Sequence, residues 1–250
     1  GTQKSAGQSY TKTKNVTVVD TLAGGKGSEW FNENDGVTFS DGNLNVYDDN
    51  NSAASVMRNI GNGDFTAEIH WSDFKASASG NSGVMMLRIR ADKDSEDDLV
   101  EIDRFSDGNL KLLVKSKTKP VVNNVVTSSN FNANEGWFKI SYKSSTKMVT
   151  AEYKVSESDS YQTMTSGQAA MDNFGGTHIL EVRAQAWNGN VSANIKQVNS
   201  TFVKTADYKY HETEEYVNPK QPDLWYGGER AEYVQGTGFR LTGTDNGIAR

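Results

Sequence analysis

The stretch DDLVEIDRFSDGNLKLL, residues 97–113, carries the pattern that decides the fold. Apolar and acidic residues alternate in its first half, so that Glu101 and Asp103 lie two positions apart with one apolar residue between them. Side chains two positions apart on a β-strand point to the same face of a sheet. The Ser-Asp-Gly-Asn that follows, residues 106–109, is a turn sequence, and apolar residues resume after it. The stretch therefore predicts a β-hairpin whose first strand presents two carboxylates on one face.

The same combination of strand and turn signals recurs along the chain. A second Ser-Asp-Gly-Asn stands at residues 40–43, between the short apolar runs VTF and LNV. Alternating or apolar runs also occupy 65–71, 84–90, 137–143 and 180–187. No convincing amphipathic helix interrupts them. About a dozen short strands joined by glycine-containing turns predict an all-β sandwich of two antiparallel sheets.

Composition narrows the possible functions. The chain has 250 residues, of which 35% are hydrophobic, 23 are glycine, 3 are proline and none is cysteine. The lack of cysteine excludes disulfide bonds, cysteine-ligated zinc and a cysteine nucleophile. The formal net charge of -6 argues against a nucleic-acid partner, because phosphate backbones attract basic surfaces. No apolar run reaches the about 18 residues of a transmembrane helix, so no membrane span is predicted.

The alternation also assigns side chains to faces. Apolar positions such as Val100 and Ile102 are expected to form the core between the sheets. The intervening polar side chains are expected to line the outer face of one sheet, and they are the candidate ligand-binding residues. This set consists of Glu68, His70, Arg88, Arg90, Glu101, Asp103, Arg183, Gln185 and Trp187.

Such a face would suit a carbohydrate. Sugars are held by an aromatic ring against their C–H groups and by charged or amide side chains at their hydroxyls. Trp187, which precedes Asn-Gly-Asn, is the candidate aromatic residue at a loop mouth. The alternative is that the acids and arginines pair across strands and do no more than solvate the sheet.

The order of these segments is similar to that of a known fold. A first strand and a glycine-rich loop with Trp30 precede FSDGNLNV, NGDFTAEIHW, SGVMMLRIRADKD, DLVEIDRFSDGNLKL, GWFKISYKSSTKMVTAEY and LEVRAQAWNGNVSANIKQVNSTFV. From Val16 to Val203 the series resembles the concanavalin A-like jelly roll, in its laminin-G-like and bacterial carbohydrate-binding β-sandwich branch. The resemblance implies two curved sheets, a concave face that holds glycans and a structural Ca²⁺ ion. Asp20 and Glu29 are the acids placed to bind that ion.

The family 16 glycoside hydrolases have the same jelly roll. The segment VEIDRF, residues 100–105, resembles their catalytic strand. By this resemblance Glu101 would be the nucleophile and Asp103 its helper. The general acid/base should be a further glutamate at position 105 or 106, where this chain has Phe105 and Ser106. Because this hydrolysis needs two carboxyl groups in defined roles, the missing glutamate favours a protein that binds without catalysis.

The chain is expected to contain three segments. Residues 1–13 form a polar N-terminal tail, 14–204 the jelly-roll domain, and 205–250 a linker or arm with a β-hairpin, or the start of another module. The acidic run at 92–98 is expected to be a solvated hairpin tip, because it lacks the glycine that an EF-hand loop needs.

We therefore predict a non-catalytic module that binds a polysaccharide or glycan, in an extracellular or cell-surface bacterial protein built of several modules. Two alternatives stay open. One is a glycoside hydrolase or lyase that uses Glu101 and Asp103, and the other is a structural or adhesive module without a small ligand.

Overall fold

The computed structural model describes residues 9–50, 52–127, 131–164, 169–171, 174, 176–209, 231–234 and 238–241. The chain divides into two compact units, one of Thr13–Thr205 and the other of Gly1–Lys12 with Ala206–Arg250. Among the described residues, no helix has the length and apolar character needed to cross a membrane.

Sixteen strands build or enter the larger unit. They are β1 (Ser9–Asp20), β2 (Trp30–Phe31), β3 (Val37–Ser40), β4 (Asn43–Asp48), β5 (Ala54–Asn62), β6 (Phe65–Ala76), β7 (Gly83–Asp92), β8 (Ser95–Phe105), β9 (Leu110–Ser116), β10 (Lys119–Thr127), β11 (Gly136–Lys143), β12 (Met148–Lys154), β13 (Gln162–Thr163), β14 (Ala169–Ala170), β15 (Thr177–Ala186) and β16 (Val191–Lys209).

These strands form two sheets. The nine-stranded sheet has the order β13-β12-β11-β6-β16-β4-β3, with β1 beside β16 and β14 beside β12. The seven-stranded sheet has the order β10-β9-β8-β7-β15-β5-β2. Neighbouring strands pair antiparallel, as in β7 with β8 and β6 with β11. The predicted all-β sandwich of two antiparallel sheets is confirmed.

The core lies where the alternation predicts it. Ile69 and Trp71 from the nine-stranded sheet and Leu87, Ile102 and Leu180 from the seven-stranded sheet are all fully buried in one apolar cluster. Since successive side chains of a strand point to opposite faces, this fixes the outward direction of the residues between them.

The two Ser-Asp-Gly-Asn turns join β3 to β4 and β8 to β9. In the first, Asp41 and Gly42 both have positive φ values, 51° and 71°. This backbone is that of the two-residue type I′ turn, whose twist matches that of the strands on either side. In the second, Gly108 has a φ of 82° and the side chain of Asp107 accepts a hydrogen bond from the Asn109 backbone at 2.9 Å.

The smaller unit contains a strand pair, β17 (Ala231–Val234) with β18 (Gly238–Leu241), in the segment where a hairpin is predicted. Strand β1 begins at Ser9, inside the segment predicted to be a tail. The rest of that tail, residues 1–8, and the predicted linker at 210–230 lie outside the described residues.

Candidate functional site

The candidate site lies on the outward face of the seven-stranded sheet. Strands β7, β8 and β15 lie side by side there, and their register aligns outward side chains in cross-strand rows. One row contains Glu101, Arg88 and Glu181, and the next contains Asp103, Met86 and Arg183. We use the name arginine–acid face for the outward side chains of this sheet that lie within 55–59, 84–90, 99–105, 111–115 and 179–185.

Glu181 is the most buried charged group of this face, with 0% of its surface exposed. Its Oε1 accepts a hydrogen bond from Ser55 Oγ at 2.5 Å. Its Oε2 accepts hydrogen bonds from Arg88 Nη1 at 3.2 Å and from Arg90 Nη1 at 2.9 Å. Burying a carboxylate is costly unless opposite charge and hydrogen bonds compensate it, and this one has both.

Arg88 connects three carboxylates and is itself buried. Its Nε lies 2.5 Å from Glu101 Oε2, at an angle outside that of a hydrogen bond. Its Nη1 donates to Glu96 Oε1 at 2.9 Å as well as to Glu181. Burial alone would lower the pKa of Arg88, but the three carboxylates outweigh burial and raise it. The hydrogen bond from Arg88 in turn lowers the pKa of Glu96.

Asp103 is the acid of this face that no arginine compensates directly. Burial raises the pKa of its carboxyl well above the usual range, and neighbouring Glu101 raises it further through charge and a shared hydrogen bond. Among the described residues, Asp103 Oδ1 and Glu101 Oε2 have no hydrogen-bond partner. Glu101 Oε2 lies against Arg88 Nε, whereas no described cation lies against Asp103 Oδ1. Buried polar atoms are rarely left in this state, so Asp103 Oδ1 is a candidate contact for a ligand.

A small apolar cluster borders the acids. Val84, Met86 and Phe105 pack together there, apart from the main core. Lys111 Nζ lies 4.6 Å from the centre of the Phe105 ring. The resemblance to family 16 hydrolases requires a general acid at position 105 or 106, and a phenyl ring in an apolar cluster cannot supply a proton there.

Trp187 follows the last residue of β15 and is 53% exposed. Its backbone N–H donates to Ser82 O at 2.7 Å, which ties this turn to the loop before β7. The Asn188 amide reaches the hydroxyls of Ser79 and Ser82 at 3.3 and 3.4 Å. Trp187 follows Glu181 by six positions, roughly 20 Å along a strand, so it lies at the rim of the face.

The structure brings most of the predicted set together on this face, including Gln185, whose Oε1 accepts a hydrogen bond from Arg183 Nη2 at 3.2 Å. Two members lie elsewhere. Glu68 and His70 belong to β6 in the nine-stranded sheet, so their grouping with the arginines was wrong. Alternation gives the face of a strand and not the sheet to which the strand belongs.

Glu68 and His70 have their own partners on the outward side of the nine-stranded sheet. The Tyr161 hydroxyl donates to Glu68 Oε2, and His70 Nε2 lies 2.8 Å from Glu135 Oε1. The His70 ring also stacks on Trp137, with ring centres 4.0 Å apart. These contacts occupy both side chains away from the arginine–acid face.

Asp20 and Glu29, the predicted calcium ligands, both face Arg58. Asp20 Oδ2 accepts a hydrogen bond from Arg58 Nη1 at 2.6 Å, and Glu29 Oε1 lies 3.5 Å from the same nitrogen. Asp20 also accepts bonds from the Leu22 backbone at 2.8 Å and the Trp30 indole at 3.2 Å. A guanidinium therefore lies where a shared cation would have to sit, and these acids do not fit a calcium ion while Arg58 remains there. Among the described residues, no three His, Asp or Glu side chains gather as a metal site requires.

Sequence reasoning missed several residues of the face. Glu181 was not among the candidate residues, although Arg183 two positions later shares its direction. Met86 was not among the candidates either, because it is apolar, although it shares its direction with Arg88 two positions later. Glu96 lies in the run expected to be a solvated tip, and only the hairpin geometry brings it to Arg88.

Comparisons with known proteins show likeness of structure. No protein-family model matches the sequence, and no curated protein matches it. Lectin I from Ulex europaeus, solved with the methyl glycoside of α-L-fucose, has a TM-score of 0.55 at 10% identity, over 76% of this chain and 98% of that one. The basic winged bean lectin, solved with Tn-antigen, has a TM-score of 0.54 at 9% identity, over 76% and 99%.

A glycosidase is also similar. The Bacillus licheniformis β-glucanase has a TM-score of 0.50 at 9% identity, over 74% of this chain and 97% of that one. At such identities the likeness establishes the fold alone. The chain has the concanavalin A-like jelly-roll fold.

Proposed function

We propose that the arginine–acid face binds a carbohydrate without cleaving it, in an extracellular or cell-surface protein of several modules. The observation that carries this proposal is the buried Asp103 Oδ1, which has no hydrogen-bond partner among the described residues, beside the apolar surface of Met86 and Phe105. Sugars present hydroxyl donors and apolar C–H faces together, and this surface complements both. Lectins and a β-glucanase share the fold, which supports the ligand class.

Two features favour binding over hydrolysis. The Glu101 oxygen that a reaction would need lies against Arg88 Nε at 2.5 Å. The phenyl ring of Phe105 lies in an apolar cluster where the resemblance requires a general acid, and it cannot supply the proton that hydrolysis needs.

Affinity electrophoresis against a panel of soluble polysaccharides tests the proposal. The wild-type protein should be retarded by at least one polysaccharide, and Trp187→Ala should weaken that retardation about tenfold, as expected for one stacked ring. Tyr47→Ala is the matched control, because Tyr47 is 43% exposed on β4 of the nine-stranded sheet. Lack of retardation by every polysaccharide would contradict the proposal and leave a structural or adhesive module.

A second candidate is hydrolysis by the same face. The raised pKa of Asp103 next to Glu101 is the observation that favours it, since glycosidases keep one carboxyl protonated near an ionised one. Release of reducing ends from a polysaccharide that binds, lost in Glu101→Gln while binding persists, would establish this candidate in place of the first.

A further inference from the structure

The arginine–acid face is richer in cations than the chain as a whole. The formal net charge of the chain is -6. On the face, the described side chains include five cations and three acids, with Glu96 reaching in as a fourth. The cations are Arg88, Arg90, Lys111, Lys115 and Arg183, and the acids are Glu101, Asp103 and Glu181.

The acids of the face are already engaged with its innermost arginines. Glu181 accepts hydrogen bonds from Arg88 and Arg90, and Glu101 lies against Arg88. Burial and Glu101 raise the pKa of the Asp103 carboxyl, which favours its neutral form. Little negative charge is left to balance the remaining cations.

The other three cations have looser contacts with acids than Arg88 and Arg90 have. Lys111 lies opposite Asp103 in the register and Lys115 acts on Asp97 through its charge, but among the described residues neither lysine forms a close ion pair. Arg183 Nη1 is 3.6 Å from Glu181 Oε1, a longer contact than those of the buried arginines, and its side chain is 24% exposed. Half-buried cations near apolar surface have lost part of their hydration, which favours an anionic partner.

The spacing of these cations matches an extended ligand. Lys111, Asp103, Met86 and Arg183 share one row across four adjacent strands. Three interstrand steps separate Lys111 from Arg183, a span of about 14 Å, or roughly three sugar units. The floor between them consists of the apolar Met86 and the Asp103 carboxyl.

We propose that the ligand of this face is an acidic polysaccharide, whose carboxylate or sulfate groups pair with Lys111 and Arg183 as the chain lies across the strands. This inference rests on the proposed function and adds the charge of the ligand to it. Its consequence is a preference for charged polymers that weakens as salt screens the attraction.

Paired polymers that differ in charge alone test the proposal. Binding is measured for polygalacturonate and its fully methyl-esterified form, and for dextran sulfate and dextran, in low and high salt. At least one charged polymer should bind about tenfold or more tightly than its neutral counterpart, with the difference reduced by salt. Which pair shows the preference distinguishes carboxylate from sulfate recognition.

Substitutions test whether the preference for charged polymers comes from the arginine–acid face. Lys111→Gln and Arg183→Gln should each weaken binding of the charged polymer about tenfold, as expected for one charge-assisted contact. Lys75→Gln removes the same charge from an exposed position on β6 of the nine-stranded sheet and should leave binding unchanged.

The results that would contradict the charge inference differ from those that would contradict the proposed function. If neutral polymers bind as tightly as charged ones, the charge inference is overturned and the proposed function stands. Equal binding of single-stranded DNA at the same salt also overturns it, because the face would then select any polyanion. If none of the four polysaccharides binds but another polysaccharide of the electrophoresis panel does, the charge inference fails alone. If the whole panel fails as well, the proposed function fails with it.

Discussion

Asp103 shows how burial can change the state of one carboxyl. Its folded-state pKa is raised, first by burial and then by Glu101. A raised folded pKa contributes stability below the unfolded value of about 3.9, and this contribution is lost as pH rises toward the folded pKa. We expect Asp103→Asn, which stays neutral, to gain stability relative to the wild type between pH 4 and pH 7, by about 1.4 kcal/mol per unit of the pKa rise.

Urea unfolding of both proteins across this pH range measures the difference. Asp97→Asn is the control, because Asp97 is exposed and hydrogen bonds from Lys117 and Ser95 lower its pKa. Its small effect should have the opposite sign, with stability relative to the wild type falling as pH rises. A difference for Asp103→Asn that stays constant with pH would mean that Asp103 is ionised in the folded protein.

Substitution of Arg58 gives a second prediction at the scale of a single residue. It pairs with Asp20 and Glu29 and lies over the Trp30 ring, 5.4 Å from its centre. Arg58→Met should lower the free energy of unfolding by about 3 kcal/mol, because it leaves the largely buried Asp20 carboxylate without its counter-ion.

Thermal unfolding with calcium or a chelator extends this test to the calcium prediction. The Tm of the wild type should be the same in both, since the guanidinium occupies the place between the two acids. The Tm of Arg58→Met should rise with calcium, because Asp20 and Glu29 are then free to bind it. A calcium-dependent Tm in the wild type would show that the acids release Arg58 to hold the ion.

Among the residues that the structure describes, the most deeply buried charged side chain belongs to strand β15. The pairing of β15 with β5 and β7 determines which side chains it contacts. Glu181→Gln keeps the side-chain shape but removes the charge that compensates Arg88 and Arg90. We expect a loss of about 3 to 5 kcal/mol in the free energy of unfolding, since breaking a buried ion pair leaves a charge uncompensated.

Chemical denaturation of a matched variant distinguishes the effect of burial on the free energy of unfolding from the effect of ion pairing. Glu135 also contacts two cationic or titratable side chains, His70 and Lys196, but its side chain is 48% exposed. Glu135→Gln should therefore cost at most about 1 kcal/mol. Equal losses for the two variants would contradict the importance of burial at Glu181.

The strands also show how far sequence reasoning reached. Alternation identified the inward residues Val100 and Ile102 because it depends on local backbone geometry alone. It could not tell that β6 and β7, which are consecutive, lie in different sheets, because pairing depends on the whole course of the chain. His70 and Arg88 were placed on one face for this reason. Nor does alternation reveal burial, so Glu181 was not recognised as a buried acid.

The two outward faces of the sandwich differ in how their charges are held. On the seven-stranded sheet, Arg88, Glu101 and Glu181 are all buried. On the nine-stranded sheet, Lys139 and Glu152 pair at 2.7 Å with their side chains 19% and 21% exposed. Partly hydrated pairs of this kind contribute little and need no ligand, whereas unpartnered buried oxygens are costly in the free protein. This difference is the reason that we propose the seven-stranded sheet as the one that binds the ligand.

Methionine methyl groups on both outward faces of the sandwich can show which face binds a ligand. The chain has 6 methionines, and Met57 and Met86 lie outward on the seven-stranded sheet while Met148 lies on β12 of the nine-stranded sheet. In NMR spectra of the methionine methyl groups, titration with a polysaccharide that binds should shift Met86 most and Met57 less. Met85, buried under the face, should shift weakly, and Met148 should not move.

Conservative Met→Leu variants assign the signals, because such exchanges preserve core volume. The methyl groups lie within the molecule and not in the ligand, so the pattern locates binding without any prior choice of polysaccharide. A shift of Met148 with none at Met86 would move the binding site to the opposite sheet, where Trp137, His70 and Tyr161 would then be the side chains to substitute. Shifts at both methionines would instead indicate a change that passes through the core, because no ligand can contact both outward faces of a sandwich through a single site.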